Sequence, residues 1–517
     1  MMFNLTRFRF SNKLQPQKIK SMISDHKPIS GTVEDILVNV TKYTGTPSDL
    51  IIHRFTTENG LVMAAVYLES LADISLLGSQ VIEPVNKFIR EKSETITAAT
   101  VELLISASVI DLFTDFNDAL EGLMTGQALL IVPNEDKIFG ISLPGYPRRP
   151  IEESITEKNV RGNREGFTED IKDNLSLIRR WIKDPNLRVE SKIIGERTKT
   201  KVLILYLLDV ANPDTVVEVN KRLEKISIDG IIDSGYISEM ITDHRLTFFP
   251  LVQETERPDK VAASILEGRI AIIVDKSPFT LIVPATSNEF YQTPEDYYFN
   301  YWIGSFLRLI RFIGTAMAVT LPALYTALIS VNPELLPSFL IQVVASGRTQ
   351  VPFPAVIEVF LTLLVFEIFR EASVRLPANI NMIMGIGGGI VLGQAAINSG
   401  MIAGTTIMVV IFTALASFST SNPSKEQAWR LARYFLFFAS GAFGILGLSI
   451  AGLLILAHMA GLKSFGVSYL APWGPPLPVD MLDGFGRLPW WASNRRPPTY
   501  RPQQEDRLGN TDNEEDE

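Results

Sequence analysis

Residues 352–377, PFPAVIEVFLTLLVFEIFREASVRLP, constrain the fold more than any other stretch of this chain. Pro352, Pro354 and Pro377 fence it, its centre is as apolar as a membrane span, and yet it carries Glu358 and Glu367. From Leu376 to Ser424 there then follow 49 residues without a charged side chain. A carboxylate at bilayer depth costs about 2.5 to 3.5 kcal/mol on insertion scales, so an ion path, a polar partner or a helix interface must compensate.

A helix of about 20 residues is roughly 30 Å long, one hydrocarbon thickness. The spans expected on that length are 312–331, 378–397, 401–421 and 434–460, the last of them tilted or entering the interface. Asn398-Ser399-Gly400 marks a turn between the middle two, and His458 sits at an interfacial depth. Residues 355–374 are a fifth element with two readings. At about 100° per residue, Glu367, Arg370, Glu371 and Arg375 share one face and can satisfy one another, whereas Glu358 lies opposite, near Thr362 only, and needs an external partner. The element either lies in the membrane plane with Glu358 snorkelling, or faces a water-filled path between subunits.

If it spans, Arg308, Arg311, Arg370, Arg375, Lys425, Arg430 and Arg433 all lie on the inside, and only Arg348 and Lys463 flank the outside, as the positive-inside rule requires. Gly385, Gly389 and Gly393, and Gly400 and Gly404, recur at spacing four and are expected as helix-packing positions. GIGGG at 385–389 lacks a preceding strand and a lysine, so it reads as part of that packing surface and not as a phosphate loop. Tyr297, Tyr298, Tyr301 and Trp302 form an interfacial belt, and 333–350 reads as a short interfacial helix.

The amino-terminal half is different in kind. Short apolar runs at 61–68, 128–133, 201–208 and 270–275 read as buried strands, with helical patterns at 168–183 and 215–226 between them. Asn212-Pro213-Asp214 supplies a helix start. GQALLIVPNEDKIFGISLP at 126–144 echoes GRIAIIVDKSPFTLIVP at 268–284: glycine, strand, turn, strand, proline. The expected fold is therefore an α/β or α+β soluble region of two related subdomains, followed by an α-helical transmembrane domain of four to five helices.

The expected layout is a basic disordered arm at 1–29, one cytosolic subdomain at 30–150 and a linker at 151–189. A second subdomain follows at 190–293, then a transmembrane domain at 294–462 and a proline-rich, then acidic, disordered tail at 463–517. In the linker, Arg161, Arg164 and Glu165 crowd a glycine-containing turn and are expected to join the subdomains, or to hold an anion or a neighbouring subunit.

Composition removes several functions. The chain has 517 residues and no cysteine, so thiolate metal sites and disulfides are excluded. Four scattered histidines show no metal-ligand spacing, and the net charge of −9 argues against nucleic acid. The first 27 residues lack the apolar core of a secretory signal, which places the amino-terminal half in the cytosol. No nucleophile, base and orienter fall into a catalytic pattern, so neither an enzyme nor a cofactor is expected.

Taken in order, VRGNREGF, NLSLIRRWIKDPNL, PFPAVIEVFLTLLVFEIFREASVRLP and NINMIMGIGGGIVLGQAAINSGMIAG resemble the A subunit of the GerA-family spore germinant receptors. The similarity runs from about residue 30 to about 490. Asn163 departs from the family's proline in RGPREGF, which bears on the rigidity of that turn. The resemblance implies a multi-pass protein of the spore inner membrane that works with a transporter-like B subunit and a lipoprotein C subunit. It implies sensing of small nutrients and assembly of several A subunits into a ligand-gated cation channel. Glu358 and Thr362 would then lie in or near the cation path, with Glu367, Arg370, Glu371 and Arg375 holding neighbouring subunits. The alternative is a non-conducting scaffold that couples a nutrient-binding partner to a separate release channel.

Overall fold

A computed structural model describes residues 28–56, 62–91, 105, 110–143, 145, 154, 157, 159–375 and 389–507. The chain divides into two units, residues 1–146 with 183–185, and residues 147–182 with 186–517. Nearly all of the basic arm lies outside the described residues. Ile29, however, is buried in the first unit's core, so that unit begins inside the expected arm.

The first unit is built on one antiparallel sheet. Its strands are β1 (Leu50–Thr56), β2 (Val62–Leu68), β3 (Ile110–Phe113), β4 (Gln127–Ile131) and β5 (Ile138–Ser142), in the order β1-β2-β4-β5-β3. Helix α1 (Val33–Thr44) packs on one face together with α2 (Phe116–Met124). α1 starts at a capping box in which Thr32 and Asp35 satisfy each other's backbone N–H groups.

The second unit contains the same arrangement again. Helix α3 (Ile171–Trp181) precedes β6 (Leu187–Ile194) and β7 (Thr200–Leu207); α4 (Pro213–Glu224), β8 (Gln253–Thr255), α5 (Pro258–Leu266), β9 (Ile270–Val274) and β10 (Thr280–Val283) follow. The order β6-β7-β9-β10-β8 repeats that of the first sheet, again with every neighbouring pair antiparallel. The α+β alternative therefore holds. The echoed glycines begin the matching hairpins: Gly126 and Gly268 hold φ of +98° and +90°, which glycine adopts without the steric cost a Cβ brings. α3 corresponds to α1, so the second repeat starts near residue 170 and not at 190. It is also not a linker helix, because Ile171, Leu175 and Ile178 are core residues.

Strand periodicity fixes the two faces of the second sheet. Leu203 and Leu205 point to α3 and α5, whereas Val202 and Ile204 point to α4, as a period of two requires. Asn212 caps α4 by accepting from Asp214 N, with Pro213 in the first turn.

Beyond Asn300 come the long helices. They are α6 (Tyr301–Thr326, continued by a π-helical turn Ala327–Val331), α7 (Ser338–Arg348), α8 (Ala355–Arg375), α9 (Gly389–Asn398), α10 (Gly404–Ser417) and α11 (Pro423–Gly461). Among the described residues, two helical stretches are long and apolar enough to cross a membrane, Tyr301–Val331 and Pro423–Gly461, the second of them interrupted at Gly444. The expected span 378–397 lies partly outside the described residues.

α11 corrects the sequence reading most. Its hydropathy predicts one tilted span at 434–460, but it is a helical hairpin. Gly444, with φ +62° and ψ −142°, turns the chain back on itself. Phe249 lies 5.3 Å from the Trp429 ring and 6.2 Å from His458. A straight helix, rising about 1.5 Å per residue, would hold those two rings roughly 40 Å apart. Ala428, Ala432 and Leu436 of the first leg pack in one cluster with Ala451, Ile455 and Met459 of the second. Both ends of α11 meet the second subdomain, so Lys463 lies at that end and not at the opposite one.

The expected disordered tail is also corrected, since residues 463–507 are folded. β11 (Lys463–Ser464) and β12 (Val467–Ser468) form a hairpin, and α12 (Pro478–Phe485) follows. Tyr469 and Tyr500 are buried, and Ser287 N donates to Tyr469 O at 2.7 Å. Gln503 Nε2 donates to the carbonyls of Leu208 and Ala211 at 2.8 and 2.6 Å. The proline-rich composition concealed this, because an extended segment can bind through its own backbone and a few aromatic anchors without any periodic pattern.

Candidate functional site

The helices meet in two layers. At the end next to the second subdomain lie the starts of α6 and α11 and the ends of α8 and α10. Arg311 Nη1 donates to Thr293 Oγ1 at 2.7 Å, and both Arg308 and Arg311 pair with Asp296. Lys425 is fully buried; its Nζ donates to Ser287 Oγ at 2.6 Å and Tyr469 Oη at 2.9 Å. Five rings surround it, from Tyr469 at 4.8 Å to Phe249 at 5.7 Å. Among the described residues no carboxylate pairs with it, so ring quadrupoles and two hydroxyls replace a counter-ion. Under the Arg308 guanidinium, burial first and Asp483 second push the Tyr297 phenol well above its ordinary range. The sequence marked Lys425 only as an inside charge.

The face shared by Glu367, Arg370, Glu371 and Arg375 does not satisfy itself as expected. Glu367 accepts from Arg430 and, at 2.5 Å, from Arg433, and Arg370 pairs with Glu426. Only Glu371 and Arg375 pair with each other, at 2.7 Å on an exposed surface. The reason is that a helix with apolar neighbours takes its charge partners from whichever helix lies beside that face, here the first leg of α11. α8 is thereby tied to α11 within one chain. Arg370 also lies 5.3 Å from the Phe418 ring at the end of α10.

The far layer holds Glu358, only 1% exposed. Its Oε1 accepts from Ala403 N, at the start of α10, at 2.6 Å, and its Oε2 lies 2.7 Å from Arg348 Nη1, at the end of α7. A carboxylate at a helix amino terminus also meets the positive end of the helix dipole. The external partner that Glu358 needs is thus Arg348 together with a backbone N–H. Thr362 donates to the Glu358 backbone carbonyl at 2.7 Å and not to its carboxylate.

The same layer contains most of the irregular backbone. The π-helical turn Ala327–Val331 ends α6, and Asn332 follows. Asn332 Oδ1 accepts from Ile445 N at 3.0 Å, capping the second leg of α11. Nearby, Tyr325 Oη lies 2.8 Å from Thr405 Oγ1 and 3.0 Å from Thr406 Oγ1. Sequence reasoning missed Asn332 and Gly444. The spacing of Gly441, Gly444 and Gly447 was the available signal.

The small-residue positions also differ from expectation. Gly400, at φ +67°, closes the turn after α9, and a Cβ on Gly404 would meet nothing within 4 Å, so neither packs a neighbouring helix of this chain. Gly385 lies outside the described residues, and Gly389 and Gly393 lie on α9.

The turn with Arg161, Arg164 and Glu165 has its described partners in the second subdomain and the approach to α6. Val160 N and Arg161 N donate to Glu295 Oε1 at 3.1 and 3.2 Å, and Glu165 pairs with Arg180 at 3.4 Å. Arg257 Nη2 donates to Asn163 O at 2.9 Å, and its guanidinium also pairs with buried Asp259 at 2.6 Å. Gly162, at φ +110°, lets this turn lie against Tyr298. The turn therefore joins this subdomain to the segment leading into α6.

The chain is similar to known proteins over most of its length. A family model described as Bacillus/Clostridium GerA spore germination protein matches residues 38–499. The chain is 36% identical to the uncharacterized membrane protein YfkQ of Bacillus subtilis over 474 residues, 92% of each chain. It is 35% identical to spore germination protein KA of B. subtilis over 486 residues, 93% of this chain and 89% of that one. It is 33% identical to spore germination protein GerLA of Bacillus cereus over 470 residues, 91% of this chain and 96% of that one. A crystal structure of the N-terminal domain of the A subunit of the Bacillus megaterium spore germinant receptor GerK3 is 34% identical, covers 50% of this chain and 98% of that one, and gives a TM-score of 0.41. By a match that spans both sheets, the long helices and most of the folded tail, the chain belongs to the GerA family of spore germination proteins.

Proposed function

We propose that this chain is the A subunit of a nutrient germinant receptor in the spore inner membrane, and that several copies assemble there into a ligand-gated cation channel. Its soluble subdomains and folded tail face the cytosol, and it acts with a transporter-like B subunit and a lipoprotein C subunit.

The observation that carries the channel reading is the far layer. A buried Arg348–Glu358 pair, a π-helical turn and the Gly444 turn lie together among apolar helices. Irregular backbone and ionised groups at membrane depth are tolerated where they are buried in protein or line a water-filled path. A few helices per copy suffice for a pore only if several copies surround it. In this reading Glu358 positions the start of α10 against α7, while the Glu367 and Arg370 contacts fix α8 to α11 so that movement at one layer reaches the other. The test is monovalent cation flux through reconstituted protein, wild type against Glu358→Gln. Equal flux and equal germination would remove Glu358 from the mechanism.

A second reading, a non-conducting scaffold, is favoured by one fact: the Glu358 charge is already compensated within a single chain, by Ala403 N and the Arg348 guanidinium. Purified oligomers that carry no current while spores still require the protein would support it.

A further inference from the structure

A cavity of 380 Å³ lies in the second unit, between α5, the short helix Pro294–Tyr298 and the carboxy-terminal strap 487–507. Its volume falls in the range of small-molecule sites, about 300 to 1,000 Å³. Its walls are mostly apolar and aromatic, with the Tyr297 and Trp490 rings 5.9 Å apart. Ala263 and Leu266 of α5 face them.

The charged groups of the walls are already engaged. Glu267 pairs with Arg507 at 2.7 Å, and Glu289 with Arg269 at 3.0 Å. Arg496 Nε donates to Leu266 O at 2.8 Å. The exception at the lining is Gln253 of β8, which is 1% exposed. Its Oε1 accepts from Arg269 Nη2 at 2.8 Å, which fixes the amide's orientation, and its Nε2 has no hydrogen-bond partner among the described residues. A buried amide donor without a partner is unfavourable, so a ligand acceptor that reaches it relieves that cost.

We infer that this cavity binds a small uncharged molecule that has a flat apolar face for Tyr297 and Trp490 and one carbonyl or ring-nitrogen acceptor for Gln253 Nε2. A charged ligand would have to break an existing ion pair, which disfavours it. Because the strap forms one wall, occupancy also holds the strap against α5. The inference does not depend on the channel reading, and its failure leaves that reading intact.

Benzamide serves as the probe, because it has one ring and one carbonyl. Full-length protein in lipid nanodiscs, labelled with 5-fluorotryptophan, gives six fluorine resonances, one per tryptophan, and Trp490→Phe identifies the relevant one. Benzamide is expected to shift that resonance saturably, and benzoate to bind at least tenfold more weakly. Gln253→Leu should weaken benzamide about tenfold, the equivalent of one ordinary hydrogen bond. Since that change also unties Arg269, the deciding variant is Ala263→Phe, which fills the cavity from the exposed side of α5 and should abolish the shift. No saturable shift with benzamide, equal binding of benzoate, or a shift that survives Ala263→Phe each overturns the inference.

Discussion

Asn332 Oδ1 accepts a hydrogen bond from Ile445 N at 3.0 Å, so a side chain at the end of one helix caps the start of another. The contact works only because Gly444 takes a positive φ, which bends α11 and leaves Ile445 N without a helical partner. Loss of such a cap costs about 1 kcal/mol. Asn332→Ala should lower thermal stability by roughly that amount, and Asn332→Asp should retain most of it. Gly444→Ala should cost more, because a Cβ would strike Asn332 Oδ1 and the Val331 side chain. Thermal unfolding in lipid nanodiscs gives the ranking; an Asn332→Ala variant more damaging than Gly444→Ala would contradict it.

The hairpin also predicts sidedness. The chain has no cysteine, so single cysteines report without background. With an impermeant maleimide, Lys463→Cys and Lys199→Cys should label from the same face of the membrane, and Leu335→Cys from the other. Lys463→Cys labelling together with Leu335→Cys would mean that α11 runs straight through.

Arg348 and Glu358 form a charge pair at 2.7 Å, the carboxylate fully buried and the guanidinium largely so. Removing one member of a buried pair costs roughly 3 to 5 kcal/mol, because the other is left uncompensated. Glu358→Gln and Arg348→Gln should each destabilise strongly, and the double variant should lose less than the sum of the two. A double-mutant cycle on unfolding midpoints in denaturant checks this, and additive losses would show that the two do not interact.

Glu267 gives a pH dependence to the strap. Burial, opposed by Arg507, raises its carboxyl from 4.5 to about 7. With the folded value above the unfolded one, the docked strap is favoured below about pH 4.5, and that contribution is lost as pH rises through about 7. Arg496 N donates to Glu505 O, and Arg507 N to Asn494 O, within the strap. Protection of these amides from hydrogen exchange, relative to a Glu267→Gln variant at each pH, should fall between about pH 4.5 and 7 and level off above that. A constant ratio across that window would exclude Glu267 as its cause.

The sequence by itself determined the two-part character of the chain, the buried strands at 61–68, 128–133, 201–208 and 270–275, and the doubling of the soluble region. Those are local signals: apolar runs, turn residues and an echoed hairpin, each readable within a window of one element. It also determined that Glu358 could not be satisfied on its own helix. What only the tertiary structure decided was where partners come from. Glu367 and Arg370 looked self-sufficient on a helical wheel, yet α11 lies beside that face and supplies Arg430, Arg433 and Glu426. Residues 434–460 looked like one span because hydropathy averages over a window and is blind to a single backbone torsion. Gly444 and the Asn332 cap reverse the chain there. The tail looked disordered because proline and polar residues have no periodicity, and it folds because its aromatic residues and backbone bind a surface made elsewhere in the chain. Contacts between residues far apart in sequence leave no pattern in either segment alone, so only the folded molecule reveals them.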